Sequence, residues 1–331
     1  MPEQTRPRYE PLQIAGLFAG PALFILVLLF SPESLSFQAA VVAGGTLWVI
    51  VWWITEPVPI AATSLLPIIL FPLFGAMDTG NVTGEYGNPI IFLFIGGFFI
   101  AIAIEKWNLH SRIALGIVQA IGTSPRRIIG GFLFSTAFLS AWISNTATAL
   151  MMLPVAAAVT AKFASEGYEE DFRTALVLAV AYGASIGGVA TLIGSPPNLI
   201  LAGMYKTLTG LEISFLQWAT FGIPIAGIML ALCWIYLVLF AFPQKKSSLR
   251  INLDEEFRNL GPVTVEEKRV LSVFLVVAAL WITRTIWGGY VPMVSDTTIA
   301  VFGAVLLFLI PAGGGGRLLV WEDAVRLPWN I

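Results

Sequence analysis

The sequence predicts an all-α polytopic membrane protein. Two observations carry this reading. Hydrophobic residues make up 57% of the 331 residues against 11% charged ones, with a mean hydropathy of +0.84, whereas roughly a quarter of the residues of a soluble domain are charged. The apolar residues also fall into blocks near the length of about 20 that a helix needs to cross a bilayer. A soluble core could not absorb so much apolar surface, because single cores stop growing near about 250–300 residues.

The elements follow in order. Candidate spans lie at about 11–30, 39–55, 58–75, 89–104, 174–203, 214–242, 269–290 and 295–311, with a further apolar block at 128–160. The first run follows Arg6 and Arg8, as a signal peptide would. It is long for an h-region and no A-x-A pattern follows it, so it reads as a retained helix. With the N-terminus cytoplasmic, every Lys and Arg except Lys206 and Arg284 falls in an inside segment. The positive-inside rule therefore predicts that orientation, in a cell inner (plasma) membrane.

Composition also excludes functions. The formal net charge of -2 offers no electrostatic footprint for nucleic acid. Cys233 and His110 are the only residues of their types, which excludes a disulfide framework and any multi-histidine or multi-cysteine metal centre. No cofactor is expected. Cys233 reads as a packed core thiol and His110 as a bystander in a cytoplasmic segment.

Two blocks break the pattern. Block 128–160 has Arg126 and Arg127 before it and Lys162 and Arg173 after it. Its 33 residues are too few for two crossings and a turn, which need more than about 40. It reads as a re-entrant helical hairpin with its tip near Ile143-Ser144-Asn145-Thr146. The other block, 174–203, is apolar through Ala184 and then meets Gly187, Gly188, Gly194, Pro196 and Pro197. These residues predict a half-helix, an unwound stretch and a second half-helix begun by the proline pair. Irregular backbone at membrane depth is tolerated only where it is buried in protein or lines a cavity.

Discontinuous helices of this kind build substrate and ion sites in secondary transporters. Half-helix N-termini suit anions, and hydroxyl, amide and freed carbonyl oxygens suit a hard cation such as sodium. The hairpin tip supplies Ser140, Ser144, Asn145, Thr146 and Thr148; the other break supplies Thr191, Gly194, Ser195 and Asn198. Neither block holds a Lys, Arg, Asp, Glu or His. An anion there must be balanced by helix ends, hydroxyl donors and co-bound cations, and a proton relay of membrane carboxylates is disfavoured.

Ser140-Ala141-Trp142-Ile143-Ser144-Asn145-Thr146-Ala147-Thr148 and, about 50 residues later, Gly194-Ser195-Pro196-Pro197-Asn198 resemble the paired signatures of the divalent anion sodium symporters. Trp52-Trp53-Ile54-Thr55-Glu56-Pro57-Val58-Pro59 is similar to a third stretch of that family. The resemblance runs from about residue 40 to the end. It implies an inverted-repeat transporter with a re-entrant hairpin and a broken helix. Its activity would be sodium-coupled uptake of di- or tricarboxylates of the succinate, malate, fumarate or citrate type, or of sulfate in some branches, by an elevator motion within a homodimer. By the same resemblance Ser140, Ser144, Asn145 and Gly194 bind sodium, and Ser144, Asn145, Thr146, Ser195 and Pro196 face the substrate. The organisation expected is an N-terminal helix (1–38), a first repeat (39–242), a cytoplasmic linker (243–268) and the start of a second repeat (269–331). Trp281-Ile282-Thr283 echoes Trp53-Ile54-Thr55, and Pro328-Trp329-Asn330-Ile331 stands where Asn88-Pro89-Ile90-Ile91 stood. The second repeat is then incomplete, with its hairpin and second cation site missing. A truncated, non-transporting membrane subunit is the alternative.

Other polar residues have plainer readings. Thr63, Ser64, Ser135 and Thr136 are expected to act as interhelical hydrogen-bond glue. Gly16 and Gly20 are expected to mark close helix packing, Trp48, Trp52 and Trp53 an interfacial belt, and Glu56 a capping or solvated position. Gly183-Ala184-Ser185-Ile186-Gly187 fits the G-x-S-x-G pattern of serine hydrolases, which requires a strand-to-helix elbow and a histidine base. Inside a membrane helix, far from His110, it is a weak sign of an enzyme.

Overall fold

The computed structural model describes residues 9–164, 170–243, 254–325 and 327. Among the described residues six helical stretches are long and apolar enough to cross a membrane, and the only bridge between extended segments is the isolated pair Pro311–Arg317. The protein is an all-α, multi-pass membrane protein. Its echo segment 328–331 lies outside the described residues. The chain divides into two compact units, one ending at Asn88 and one running from Pro89 to Leu327.

The first unit holds α1 (Pro11–Phe30), α2 (Phe37–Thr55), α3 (Ile60–Thr63), α4 (Leu66–Leu73) and α5 (Thr79–Tyr86). Gly16 and Gly20 let α1 lie against α2: a Cβ on Gly16 would meet Thr55 and one on Gly20 would meet Trp48 and Trp52. The tryptophans fill the space these glycines leave. The Trp52 indole donates to the Gly16 carbonyl at 3.0 Å, and Trp48 packs between Phe24 and Trp52. Only Trp53 is exposed as an interfacial anchor would be. Glu56 is the left-handed C-cap of α2, and its carbonyl accepts the Gln13 side chain.

The span expected at 58–75 is two short helices instead. Pro67 has no N–H for the carbonyl of Thr63, and the Ser64 hydroxyl turns back to Ile60 at 2.9 Å, so the helix breaks at Ser64-Leu65. The expected interhelical glue is also corrected. Ser64 and Ser135 bond within their own helices, to Ile60 and Phe132, and the buried Thr63 and Thr136 hydroxyls have no hydrogen-bond partner.

The second unit contains α6 (Pro89–Lys106), α7 (Leu109–Ile121), α8 (Pro125–Ser140), α9 (Asn145–Ala164), α10 (Glu170–Ala190), α11 (Pro196–Thr209), α12 (Phe215–Ile235), a π-helical turn (Tyr236–Ala241), α13 (Asp254–Leu260), α14 (Val265–Trp287), α15 (Asp296–Leu309) and α16 (Trp321–Ala324). One core gathers α8, α9, α10 and α12 around Phe132, Met152, Leu176 and Leu230; the half-buried Cys233 packs at its margin. A second gathers α6, α14 and α15 around Ile100, Val277 and Ala300. Gly96 brings α6 against the backbone of Ala300.

Charges occur where helices end. His110, at the start of α7, is buried with Nδ1 at 3.4 Å from the Ile104 carbonyl. Burial pushes its pKa below the ordinary histidine value, outweighing the carbonyl and the nearby Glu105, so it stays neutral at physiological pH. Arg112 ties α7 to the start of α14: its Nε donates to Glu267 Oε1 at 2.7 Å, and Nη2 donates to the carbonyls of Leu260 and Gly261 at 3.3 and 3.1 Å. Glu267 is 3% exposed and closes a capping box with Thr264. Removing one partner of a buried pair leaves an uncompensated charge and costs about 3–5 kcal/mol. Arg112→Ala is therefore expected to lower the thermal unfolding midpoint of the detergent-purified protein clearly. A midpoint equal to wild type would contradict the assignment of this pair as the α7–α14 tie.

Candidate functional site

Two helix breaks lie side by side in the second unit. The first is the turn Ala141–Ser144 between α8 and α9, and the second is Thr191–Ser195 between α10 and α11. α8 and α10 run in the same direction: Leu133 lies beside Gly183, and Ala137 beside Gly187. With α9 as the single helix between them, the pair α8–α9 starts and returns on one side, which is a hairpin. At 16 residues, α8 is about 24 Å long, short of the roughly 30 Å hydrocarbon core.

The position of the second break differs from the expected one. Gly187 and Gly188 do not unwind the helix, which continues to Ala190. They are packing residues. A Cβ on Gly187 would lie 2.2 Å from the Ala137 carbonyl oxygen, and one on Gly188 2.3 Å from Asn145 Oδ1. The same fact disposes of the hydrolase pattern. Its glycines, 183 and 187, hold α10 against α8, and Ser185 sits mid-helix with its hydroxyl on the Ala181 carbonyl at 3.2 Å. There is no elbow.

The freed backbone groups are paired. Asn198 Nδ2 donates to the carbonyls of Gly188 (2.7 Å) and Thr191 (2.8 Å). The Trp218 indole donates to the Val189 carbonyl at 3.0 Å. The Thr191 hydroxyl donates to the carbonyl of Ala141, joining the second break to the first. These buried side chains meet the requirement that polar backbone in a low-dielectric interior be satisfied.

What remains is a small oxygen cluster. The Ser140 hydroxyl, fully buried, donates its one proton to the Ala184 carbonyl at 2.6 Å. The Asn145 carboxamide lies 2.7 Å from Ser140 Oγ. With its Nδ2 inward, every donor meets an acceptor: Ser140 Oγ at 2.7 Å, Ala184 O at 3.2 Å and Gly194 O at 3.2 Å. Three oxygens thus converge on the Asn145 amide, and rotating that amide by half a turn would add Oδ1 as a fourth. Glycine is required at 194, since a Cβ there would come within 2.7 Å of the Gly188 carbonyl and 3.1 Å of the Ser140 carbonyl. Such neutral oxygens, with no fixed charge in either break, are chemistry for a hard monovalent cation.

The expected site residues divide by burial. Ser140, Asn145 and Gly194 are brought into this cluster. Ser144, Thr146, Ser195 and Pro196 flank it, with Ser140 and Gly194 buried, Ser144, Asn145, Ser195 and Pro196 half-buried and Thr146 exposed. The Ser144 hydroxyl accepts from the Ala147 N–H at 3.4 Å, and Ser195 makes no cap bond to α11. Pro196 and Pro197 deny α11 its first two N–H donors, so this helix offers its dipole and the Ser195 hydroxyl. The backbone N–H groups without a helical acceptor at this break are those in the first turn of α9, at Asn145 and Thr146, a geometry that could receive an anion. Sequence reasoning missed the Ala184 carbonyl, which no side-chain signal announces, and the stapling roles of Thr191 and Asn198.

The family described as "Sodium:sulfate symporter transmembrane region" matches residues 13–331. The chain belongs to this family. It is 46% identical, over 98% of its length, to the sodium-dependent dicarboxylate transporter SdcS of Staphylococcus saprophyticus, and 44% identical over 96% to SdcS of Staphylococcus aureus strain USA300. It spans 66% and 65% of the length of these relatives.

If Gly187 is a packing residue, Gly187→Ala must push α10 off the α8 backbone. Overpacking of this kind costs about 1–3 kcal/mol, and the thermal unfolding midpoint should fall by several degrees. An unchanged midpoint would show that α8 and α10 are not held this closely.

Proposed function

We propose that this chain carries a cation- and anion-binding half-site of a transporter that couples sodium influx to uptake of divalent carboxylates. The observation behind it is the buried, charge-free oxygen cluster of Ser140, Asn145, Ala184 and Gly194 beside two helix breaks. Membership in the sodium:sulfate symporter family and similarity to two sodium-dependent dicarboxylate transporters support it. Sodium takes the buried oxygens. The anion takes the accessible layer above them: Ser144, Thr146 and Ser195 hydroxyls, the α9 N–H groups and the surface of Pro196. Bound sodium supplies the positive charge that the protein leaves out, which makes anion affinity depend on sodium.

The wider reading rests on the family resemblance and on the placement of Lys and Arg. The hairpin is re-entrant from the cytoplasmic face, the N-terminus is cytoplasmic and the membrane is the plasma membrane. The hairpin and the broken helix travel as one body in an elevator motion within a homodimer. α14 to α16 begin an inverted repeat of the first half.

Uptake of labelled succinate and sulfate into proteoliposomes by the full-length protein, with sodium or choline outside, tests the reading. Sodium-stimulated succinate uptake is expected. Uptake of sulfate alone would assign the other anion class, and uptake equal in choline would remove sodium coupling. Asn145→Ala should abolish the sodium stimulation; stimulation retained in that variant would sink its ligand role. Thr146→Ala should raise the half-saturating succinate concentration about tenfold, the loss of roughly one charge-assisted hydrogen bond, and change the sodium requirement less. An unchanged half-saturating concentration would take Thr146 out of the anion site.

A further inference from the structure

The turn between α8 and α9 carries one aromatic side chain, Trp142, two residues after Ser140 and three before Asn145. Its indole is half-buried and held on two sides. It stacks on Phe215 with ring centroids 5.7 Å apart and an interplanar angle of 24°, and it meets Phe274 edge-on at 4.8 Å and 85°. Both supports belong to other parts of the unit, Phe215 to the start of α12 and Phe274 to α14.

The supports are themselves fixed. Phe215 stacks on Trp281 at 4.8 Å and 16°. Its backbone N–H donates to Asp296 Oδ2 at 2.7 Å, and the Trp281 indole donates to the Asp296 carbonyl at 3.0 Å. Arg284 pairs with the same buried carboxylate at 3.0 Å. An aromatic column therefore runs from the tip of the hairpin to a buried ion pair between α14 and α15.

This column bears on the oxygen cluster through the shortness of the turn. Four residues separate the last residue of α8 from the first of α9, and both ends of the turn, Ser140 and Asn145, are in the cluster. The Trp142 backbone N–H donates to the Leu139 carbonyl at 3.0 Å, so the main chain that carries the indole continues the last turn of α8. A turn with a rigid aromatic clamp keeps the Asn145 amide over the Ser140, Ala184 and Gly194 oxygens. A turn without it samples arrangements in which those oxygens are apart. Apparent affinity falls by the fraction of time the competent arrangement is populated.

We propose that Trp142 is a positioning residue for the cation site, acting through its clamp between Phe215 and Phe274. The inference rests on the reading of the cluster as a sodium site, and it concerns what sets the affinity of that site rather than what binds there.

The test is a sodium titration of thermal stability on the full-length protein in detergent, with choline chloride holding ionic strength constant. Wild type, Trp142→Ala, Trp142→Phe and Phe274→Leu are compared. Trp142→Ala is expected to need about tenfold more sodium for half of the full stabilisation, which corresponds to the clamped turn being populated about a tenth of the time. Trp142→Phe, which keeps a ring between the two supports, should recover most of the affinity. Phe274→Leu, which leaves the stack on Phe215 intact, should shift the sodium requirement in the same direction by a smaller factor. A sodium requirement for Trp142→Ala equal to wild type, or a phenylalanine variant no better than alanine, overturns the inference. Should Trp142→Ala fail to fold, Phe274→Leu decides alone, and a wild-type sodium requirement there overturns it. A wild-type protein that sodium does not stabilise refutes the sodium-site reading itself, and the inference falls with it.

Discussion

The rest of this structure depends on the pairing of backbone groups that two helix breaks expose in a low-dielectric interior. An unsatisfied carbonyl or N–H in such a place costs several kcal/mol, so two adjacent breaks are tenable only if other groups reach them. Asn198, Thr191 and Trp218 do this for the end of α10 and the hairpin turn. Once those groups are paired, Ser140, Ala184 and Gly194 are left with oxygens pointing at one place. Stabilising the break and building the oxygen cluster are one piece of chemistry.

Close approach makes this possible. Gly187, Gly188 and Gly194 each stand where a Cβ would collide with backbone or with Asn145, so α8, α10 and the second break lie nearer to one another than side chains would allow. Charge is kept at a distance. The buried Arg112–Glu267 and Arg284–Asp296 pairs sit at helix ends on α7, α14 and α15. A cluster of neutral oxygens would release a monovalent cation more readily than one with a carboxylate, which in the same low dielectric would bind it far more strongly.

Much of the fold was legible because hydropathy and proline spacing report directly on membrane helices. α1, α2, α6, α12, α14 and α15 stand close to where apolar length placed them, and α11 begins at the Pro196-Pro197 pair. The span expected at 58–75 was not legible, because Pro67 and the Ser64 hydroxyl divide a stretch whose hydropathy is continuous. Of the oxygen cluster, Ser140, Asn145 and Gly194 were legible as unusual polar and glycine residues in apolar blocks. Gly187 and Gly188 were misread as helix breakers, since glycine in sequence does not distinguish flexibility from close approach. The Ala184 carbonyl was not legible, because an alanine inside an unbroken helix gives no sequence signal that its carbonyl takes a second partner. Trp48 and Trp52 read as an interfacial belt, but the gap left by Gly16 and Gly20 turns them inward.

In the proposed function the charge-free cluster of Ser140, Asn145, Ala184 and Gly194 holds sodium. Cryo-electron microscopy maps of the full-length protein, one in sodium and one in choline, test it most directly. A density feature bounded by these four residues, present in sodium and absent in choline, is the predicted result. Identical maps at this cluster, with a sodium-dependent feature elsewhere or nowhere, would rule out sodium binding by these four residues.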